Sequence, residues 1–334
     1  MKKKKFEKIE RAKYDYHLPV LLNESIKYLF NEKFIDDANQ VYIDGTLGGG
    51  GHAAIILQKL NFGGKLFAFD KDKSALERAS TLFEEEIKSP SPRLHLCNTS
   101  FSCAKEIIKE HNINNINGII LDLGVSSKQL DSDQRGISYR INCPIDMRFD
   151  SNENKPNAKD ILNTYSVDKL SDIFFKYGEE PKSHIIAKEI VKSRNIKQIE
   201  TTFELRTIIE QCVYNSNKLP ILSRIFQAIR IEVNNELSEL NDALINIIPI
   251  LKQGGRIVVI SYHSLEDKIV KDIFKKYSFA PKVNKYKIKE LDNSSTNTMP
   301  NLKPITTRPY TPQKEETIAN PRARSAKMRA AERK

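Results

Sequence analysis

The chain has 334 residues, 39% of them apolar, enough to bury one full α/β core and a second, smaller unit. No apolar run approaches the ~18 residues that cross a bilayer, and the lysine-rich start lacks the apolar stretch of a secretory signal, so neither a membrane partner nor export is expected and the expected location is cytoplasmic. Lys and Arg number 54 against 43 Asp and Glu; the resulting charge of +11 points to a polyanionic partner such as nucleic acid, and its concentration in Lys2 to Lys5 and in Arg322, Arg324, Lys327, Arg329, Arg333 and Lys334 predicts basic arms that gain order on a phosphate backbone.

Residues 41–43, 66–69 and 119–121 are short apolar runs of the kind that buried parallel strands present, and the helical periodicity between them predicts βαβ alternation. Residues 131–220 show no strand-like alternation and several helical patterns, 168–177 and 183–193 among them, so a helical insertion is expected. The stretch 225–251 is amphipathic, with Ile225, Ile229, Val233, Leu237 and Leu240 at three- and four-residue spacing. A fourth strand, 256–260, follows, and then a helix to about Tyr277 that Ser264 starts with Asp267 at capping-box spacing. From 282 to 320 the composition turns to Lys, Asn, Ser, Thr and Pro, which predicts an irregular, partly mobile tail. The expected organisation is an α/β core over 1–134 and 221–281, an inserted helical substrate-recognition domain over 135–220, and a basic tail over 282–334. Cys97, Cys103, Cys143 and Cys212 form no Cys-x-x-Cys pair and have no His at zinc-ligand spacing, so neither disulfides nor a metal site is indicated.

The strongest local feature is Asp44-Gly45-Thr46-Leu47-Gly48-Gly49-Gly50-Gly51-His52, directly after the first strand and followed by the helical residues 53–60. Such a loop brings backbone N–H groups close to a ligand because no Cβ stands in the way. Nineteen residues past Gly51, at the end of the next strand, Asp70 opens Asp70-Lys71-Asp72, where a carboxylate accepts the ribose hydroxyls of an adenosine. Gly48-x-Gly50-x-x-Ala53 satisfies the dinucleotide fingerprint, so a nicotinamide-dependent oxidoreductase stays open; a P-loop is excluded because no Lys-Ser or Lys-Thr follows the glycines. Asp44 favours another ligand, since its carboxylate attracts an ammonium and repels a pyrophosphate, and S-adenosylmethionine carries that ammonium. Asp122-Leu123-Gly124-Val125-Ser126-Ser127 closes the third strand with a second acidic tip, where the adenine and the reactive methyl would lie. A non-catalytic RNA-binding protein, on charge alone, is a third reading.

These residues belong to a longer series of ordered blocks. The series starts with His17-Leu18-Pro19-Val20-Leu21-Leu22-Asn23-Glu24 and runs through the glycine loop, Phe69-Asp70-Lys71-Asp72 and Leu121-Asp122-Leu123-Gly124-Val125-Ser126-Ser127-Lys128-Gln129-Leu130-Asp131. It continues with Arg135-Gly136-Ile137-Ser138-Tyr139, Pro144-Ile145-Asp146-Met147-Arg148, Phe226-Gln227-Ala228-Ile229-Arg230, Asn234-Asn235-Glu236-Leu237, Ser261-Tyr262-His263-Ser264-Leu265-Glu266-Asp267 and Asn320-Pro321-Arg322-Ala323-Arg324-Ser325. In these blocks, over nearly its whole length, the sequence resembles the bacterial small-subunit ribosomal RNA methyltransferase H family, also called MraW. The departures are Ile137 where the family usually has Phe, Ile145 for Leu and Phe149 for Met, apolar exchanges that bear on local packing.

The resemblance implies a Rossmann-like class I methyltransferase fold with an inserted helical domain that helps hold RNA, S-adenosylmethionine as cofactor, and methylation of N4 of a decoding-centre cytidine in 16S rRNA. It implies cofactor contacts at Gly50, Gly51, His52, Asp70, Phe101, Asp122 and Gln129, beside the Asp44 read from charge. The substrate is expected as 16S rRNA in the small subunit or in a late assembly intermediate; oligomeric state is open, a homodimer included. Because the cofactor brings an activated methyl, the protein has mainly to position. Asp122 and the backbone carbonyl of Leu123 are the candidates to accept an N4–H bond, and His263 is a candidate proton carrier or turn-builder. The place of the Asn/Asp-Pro-Pro-aromatic tetrad of many base amino-methyltransferases is taken by Asp122-Leu123-Gly124-Val125. Phe101, Tyr139 and Arg148 are candidate stacking planes for a flipped base, with packing as the alternative, and Asp146 with Arg148 is either a positioned pair at the substrate mouth or a local ion pair.

Overall fold

The computed structural model describes residues 19–150, 154–213, 217–278 and 301–334; the lysines at 2–5 and the 282–300 part of the expected tail lie outside the described residues. The chain divides into two compact units, Met1–Gly124 with Glu239–Lys334, and Val125–Ser238. The inserted unit is thus wider than the 135–220 read from sequence.

The first unit is built on a seven-stranded sheet of order β3-β2-β1-β4-β5-β7-β6. Its strands are β1 (Val41–Asp44), β2 (Lys65–Phe69), β3 (Leu94–Cys97), β4 (Ile116–Asp122), β5 (Leu251–Ser261), β6 (Leu302–Pro304) and β7 (Lys327–Arg333). The pairs β1–β2, β1–β4, β2–β3 and β4–β5 are parallel, whereas β5–β7 and β6–β7 are antiparallel. Both faces are covered, which is why the parallel strands read as unbroken apolar runs. Tyr42, Leu66, Ala68, Ile120, Val258 and Ile260 join one core with Ile26 and Leu29 of the helix Leu22–Leu29 and Ile56 of the helix Gly51–Lys59. Their neighbours Val41, Ile43, Phe67, Phe69, Ile119, Leu121, Ile257 and Val259 point the other way, onto Ile108, Leu244 and Phe274.

The chain leaves β1 toward β2 and β3 on one side and comes back to β4 on the other. The strand order reverses there, so the crevice of this Rossmann-like fold lies at the carboxyl ends of β1 and β4. In that register Asp44 pairs with Ile120 on β4 and with Ala68 on β2, so the residues closing β1, β2 and β4 share one rim.

The C-terminal segment departs from the expected irregular basic tail. Residues Lys327–Arg333 form β7, between β5 and β6, and the helix Lys314–Ala319 precedes it. Charge does not keep β7 out of the sheet because its charged side chains meet partners. Arg329 pairs with Asp267 through two bonds of 2.6 and 3.0 Å, Glu332 receives Arg256 at 3.0 Å, and Arg333 donates to the carbonyls of Pro249 and Leu251. Arg329 and Arg333 are therefore committed within the sheet.

The second unit is helical, with Ser127–Leu130, Ala158–Thr164, Val167–Lys176, Ser183–Arg194, Thr202–Cys212 and Lys218–Asn234. Ile161, Leu170, Phe174, Ile186, Leu205, Ile209, Leu222 and Ile225 meet in its core. Two starts are set by capping boxes, Asn157 with Asp160 and Thr201 with Glu204. The amphipathic stretch 225–251 is not one helix. Lys218–Asn234 stops at Asn235, which takes the left-handed conformation (φ 52°), Glu236–Ile247 follows, and after a short turn around Pro249 strand β5 begins at Leu251, five residues before the expected start. Among the described residues no helix is long and apolar enough to cross a membrane.

Candidate active site

The glycine loop is anchored by its own backbone. Gly45 N–H donates to Ile120 O at 2.9 Å, Leu47 N–H to Phe69 O at 2.9 Å and Gly50 N–H to Leu47 O at 2.7 Å, tying the loop to β4 and β2. Gly50 has φ 81°, open to glycine at little cost, and a Cβ on Gly51 would lie 2.1 Å from Cγ of Pro19. The helix that starts at Gly51 therefore depends on a bare backbone both for its turn and for the approach of the segment before Leu22.

Three carboxyls line the rim. Asp44 is buried; its Oδ1 accepts Thr46 N–H at 3.1 Å, while Oδ2 has no partner. Burial pushes its pKa up to about 7, helped by the nearby Asp70. Asp70 accepts Gly48 N–H on Oδ2 and Asp72 N–H on Oδ1, both at 2.8 Å, and burial still raises it to about 6. It is a brace for the glycine loop as well as an acidic tip. Asp122 is raised to about 7 by burial, opposed by the Tyr262 hydroxyl and reinforced by Asp44, Glu266 and Glu316. Tyr262 OH donates to Asp122 Oδ1 at 2.8 Å, and the Asp122 N–H donates to Thr46 Oγ1 at 2.6 Å.

His52 stands 3.8 Å from Asp122 Oδ2. Burial lowers its pKa to about 4 while that of Asp122 is raised, so near neutrality the imidazole carries no charge and the contact is not an ion pair. His52 Nε2 is buried without a partner. Arg78, which donates to Gly48 O at 2.8 Å, offsets part of the charge at Asp70, while Asp44 and Asp122 keep carboxyls raised by burial and by neighbouring acids, an arrangement that suits a cationic ligand.

The remaining sequence candidates fall as follows. Phe101 opens a short turn after β3, and its Cβ would stand 3.0 Å from a Cβ on Gly45, so it belongs to this rim. Leu123 is held by its N–H on Ile260 O at 2.9 Å, just beyond Asp122. His263 lies at the start of the helix Ser264–Ser278, its Nε2 3.2 Å from Glu266 Oε1. The reach-back at that helix comes from Glu266, whose Oε2 accepts Tyr262 N–H at 2.8 Å, while the expected Asp267 is occupied by Arg329. Gln129, Tyr139, Asp146 and Arg148 belong to the second unit. Gln129 Oε1 accepts Ser126 N–H at 2.9 Å, and the Tyr139 ring packs edge-on to Phe226. Arg148 grips Asp146 through bonds of 2.9 and 2.7 Å beside Met147 at φ 63°, a pairing common to both alternatives.

Four residues that brace the site are not among the sequence candidates, although Thr46 and Tyr262 lie within the motifs read from the sequence. Thr46 and Tyr262 hold Asp122; Glu316 comes from the C-terminal helix to accept Leu21 N–H at 2.7 Å; and Glu239 receives Lys71 at 2.5 Å and Ser100 at 2.9 Å, bracing the loops that follow β2 and β3. Among the described residues no group of three or more His, Cys, Asp or Glu is disposed to hold a metal ion.

The MraW methylase family model matches residues 15–334. The chain is 42% identical over 320 residues to the ribosomal RNA small subunit methyltransferase H of Karelsulcia muelleri, covering 96% of this chain and 99% of that protein. It is 43% identical over 321 residues to the protein of that name from Dehalococcoides mccartyi, covering 95% and 86%. A solved structure, a methyltransferase homolog protein from Pyrococcus horikoshii, is 10% identical, with a TM-score of 0.39 and coverage of 94% of this chain and 65% of that one. With the glycine loop, the acidic rim and a family match spanning nearly every residue, the chain belongs to the MraW methylase family.

Proposed function

We propose that this protein is an S-adenosylmethionine-dependent methyltransferase that methylates the N4 amine of a decoding-centre cytidine in 16S rRNA of the small ribosomal subunit. The observation that carries the reading is the rim of Asp44, Asp70 and Asp122 around a bare glycine loop, with Asp44 Oδ2 and His52 Nε2 buried and unpartnered. Family membership and the names of the relatives support a ribosomal RNA substrate. The nicotinamide reading is disfavoured because the same acids would face a pyrophosphate.

When bound, S-adenosylmethionine supplies a methyl already activated on a sulfonium. Asp44 Oδ2 would hold its ammonium, Asp70 would accept from the ribose hydroxyls with lone pairs left over from its two backbone bonds, and Gly50, Gly51, His52 and Phe101 would complete the part of the seat that the first unit supplies. Asp122 and the Leu123 carbonyl hold the N4–H of the target amine, directing its lone pair, and Asp122 takes the proton that leaves. The cytidine enters single-stranded or flipped, because a stacked base does not reach the strand ends. Within the helical unit, Tyr139 and the faces of the Arg148 guanidinium, whose orientation Asp146 fixes, offer stacking surfaces to RNA bases, and that unit's lysines and arginines suit RNA phosphates.

The test uses tritium-labelled S-adenosylmethionine and small subunits from a strain lacking the gene. Label in 16S rRNA is expected, mapped by mass spectrometry to N4 of one cytidine. No transfer to any form of that rRNA, free or assembled, overturns the reading.

A further inference from the structure

Tyr262 is the residue following β5, and its position is set from three sides. Its N–H donates to Glu266 Oε2 at 2.8 Å, and the preceding Ser261 donates its hydroxyl to Lys327 O on β7 at 3.1 Å. The ring lies against the Leu123-Gly124 turn, where a Cβ on Gly124 would stand 3.4 Å from Tyr262 Cδ2 while Gly124 keeps φ 93°. The phenol reaches across this turn to Oδ1 of Asp122 at 2.8 Å. Phenol and carboxyl thus form one hydrogen-bonded pair whose second oxygen, Oδ2, faces His52 at 3.8 Å.

We propose that Tyr262 is a positioning residue for methyl transfer: its phenol occupies Oδ1 of Asp122 and fixes the carboxylate plane, leaving Oδ2 as the oxygen that orients the target amine and receives its proton. The inference rests on the methyltransferase reading above. Asp122 Oδ2 takes the proton that the amine nitrogen sheds once its lone pair has formed the N–C bond and the C–S electron pair has gone to sulfur, so charge and atoms balance within the site.

The groups facing Asp122 are Asp44 from β1, His52 from the helix Gly51–Lys59, Tyr262 beyond β5, Glu266 from the helix Ser264–Ser278 and Glu316 from the helix Lys314–Ala319. Asp44, Glu266 and Glu316 all oppose ionisation of Asp122, as burial does. The Tyr262 hydrogen bond works in the other direction, favouring the carboxylate. A base that must be ionised to accept a proton therefore depends on the phenol for its charge as well as its orientation.

Tyr262→Phe removes the hydroxyl and keeps the ring against Gly124. Two readouts test it on the full chain. Carbon-13 NMR titration of the Asp122 carboxyl, in protein labelled at aspartate and free of cofactor and RNA, should show its midpoint move up by about one pH unit or more. With cofactor and small subunits, kcat should fall about tenfold with KM for S-adenosylmethionine little changed, and the acidic limb of the kcat profile should move up with the carboxyl. A carboxyl titration identical in both proteins, or a loss confined to KM, overturns the proposal. Absence of transfer by the wild-type protein sinks the function reading itself; normal wild-type transfer with superimposable pH profiles sinks only the role of Tyr262.

Discussion

Leu21 and Glu316, 295 residues apart, are joined by a hydrogen bond of 2.7 Å from the Leu21 N–H to Glu316 Oε1, and Leu21 holds the left-handed conformation at φ 52° while making it. The bond ties the C-terminal helix to the short segment that packs on the glycine loop through Pro19 and Gly51. Leu21 and Glu316, from segments far apart in the sequence, therefore help shape the ligand seat.

Glu316→Ala is expected to leave the Leu21 N–H without its acceptor and the backbone at Leu21 unsupported, at a cost of about 1–2 kcal/mol. Urea unfolding measures the loss, and calorimetric titration should show weakened S-adenosylmethionine binding. Unfolding curves that superimpose on the wild type would show that the contact is incidental.

Gly51→Ala places a Cβ 2.1 Å from Pro19 Cγ, so either the helix start or the Pro19 segment has to move. A rise in the dissociation constant for S-adenosylmethionine of about tenfold, near 1.4 kcal/mol, is expected, together with a destabilisation of about 1–3 kcal/mol from overpacking. Unchanged affinity in the same calorimetric titration contradicts the packing argument.

The three raised carboxyls set a pH dependence of stability. Asp44, Asp70 and Asp122 sit at about 7, 6 and 7 in the folded chain against 3.8 ordinarily, so the folded protein keeps protons that the unfolded chain has lost. Their contribution is fully present below the ordinary value and is lost as pH rises through the folded values. The unfolding temperature of the ligand-free protein should fall between about pH 5 and about pH 8 by an amount that Asp44→Asn reduces and saturating S-adenosylmethionine largely removes. A flat profile across that range, by calorimetry, counts against carboxyls raised by burial.

Arg329→Met breaks the two-bond pair with Asp267, whose side chains are 11% and 14% exposed, and strands the Asp267 carboxylate. A loss of about 3 kcal/mol is expected, and the double change Arg329→Met with Asp267→Leu should recover most of it. If the single change is neutral in urea unfolding, β7 does not depend on this pair.

Much of the candidate site is local in the sequence. The glycine loop with Asp44, the Asp70 tip and the Asp122 turn each follow a short apolar strand, and strand ends in an open α/β sheet converge on one crevice, so their meeting followed from pattern alone. The helices Val167–Lys176 and Ser183–Arg194 lie within a residue of their expected bounds because their burial is periodic within one segment.

The parts that the sequence hid depend on partners far along the chain. β3 mixes His95 into its apolar residues and shows no clean run, and β7 reads as a basic arm until Asp267 and Arg256 are found beside it. The hold of Tyr262 on Asp122 spans 140 residues and that of Glu316 on Leu21 spans 295, and no spacing rule reaches so far. Backbone pattern is written locally because strand and helix periods are properties of neighbouring residues. Charge compensation is settled only when the fold closes, since what a carboxyl or a guanidinium does in a low-dielectric interior depends on which opposite or like charge the tertiary structure sets beside it.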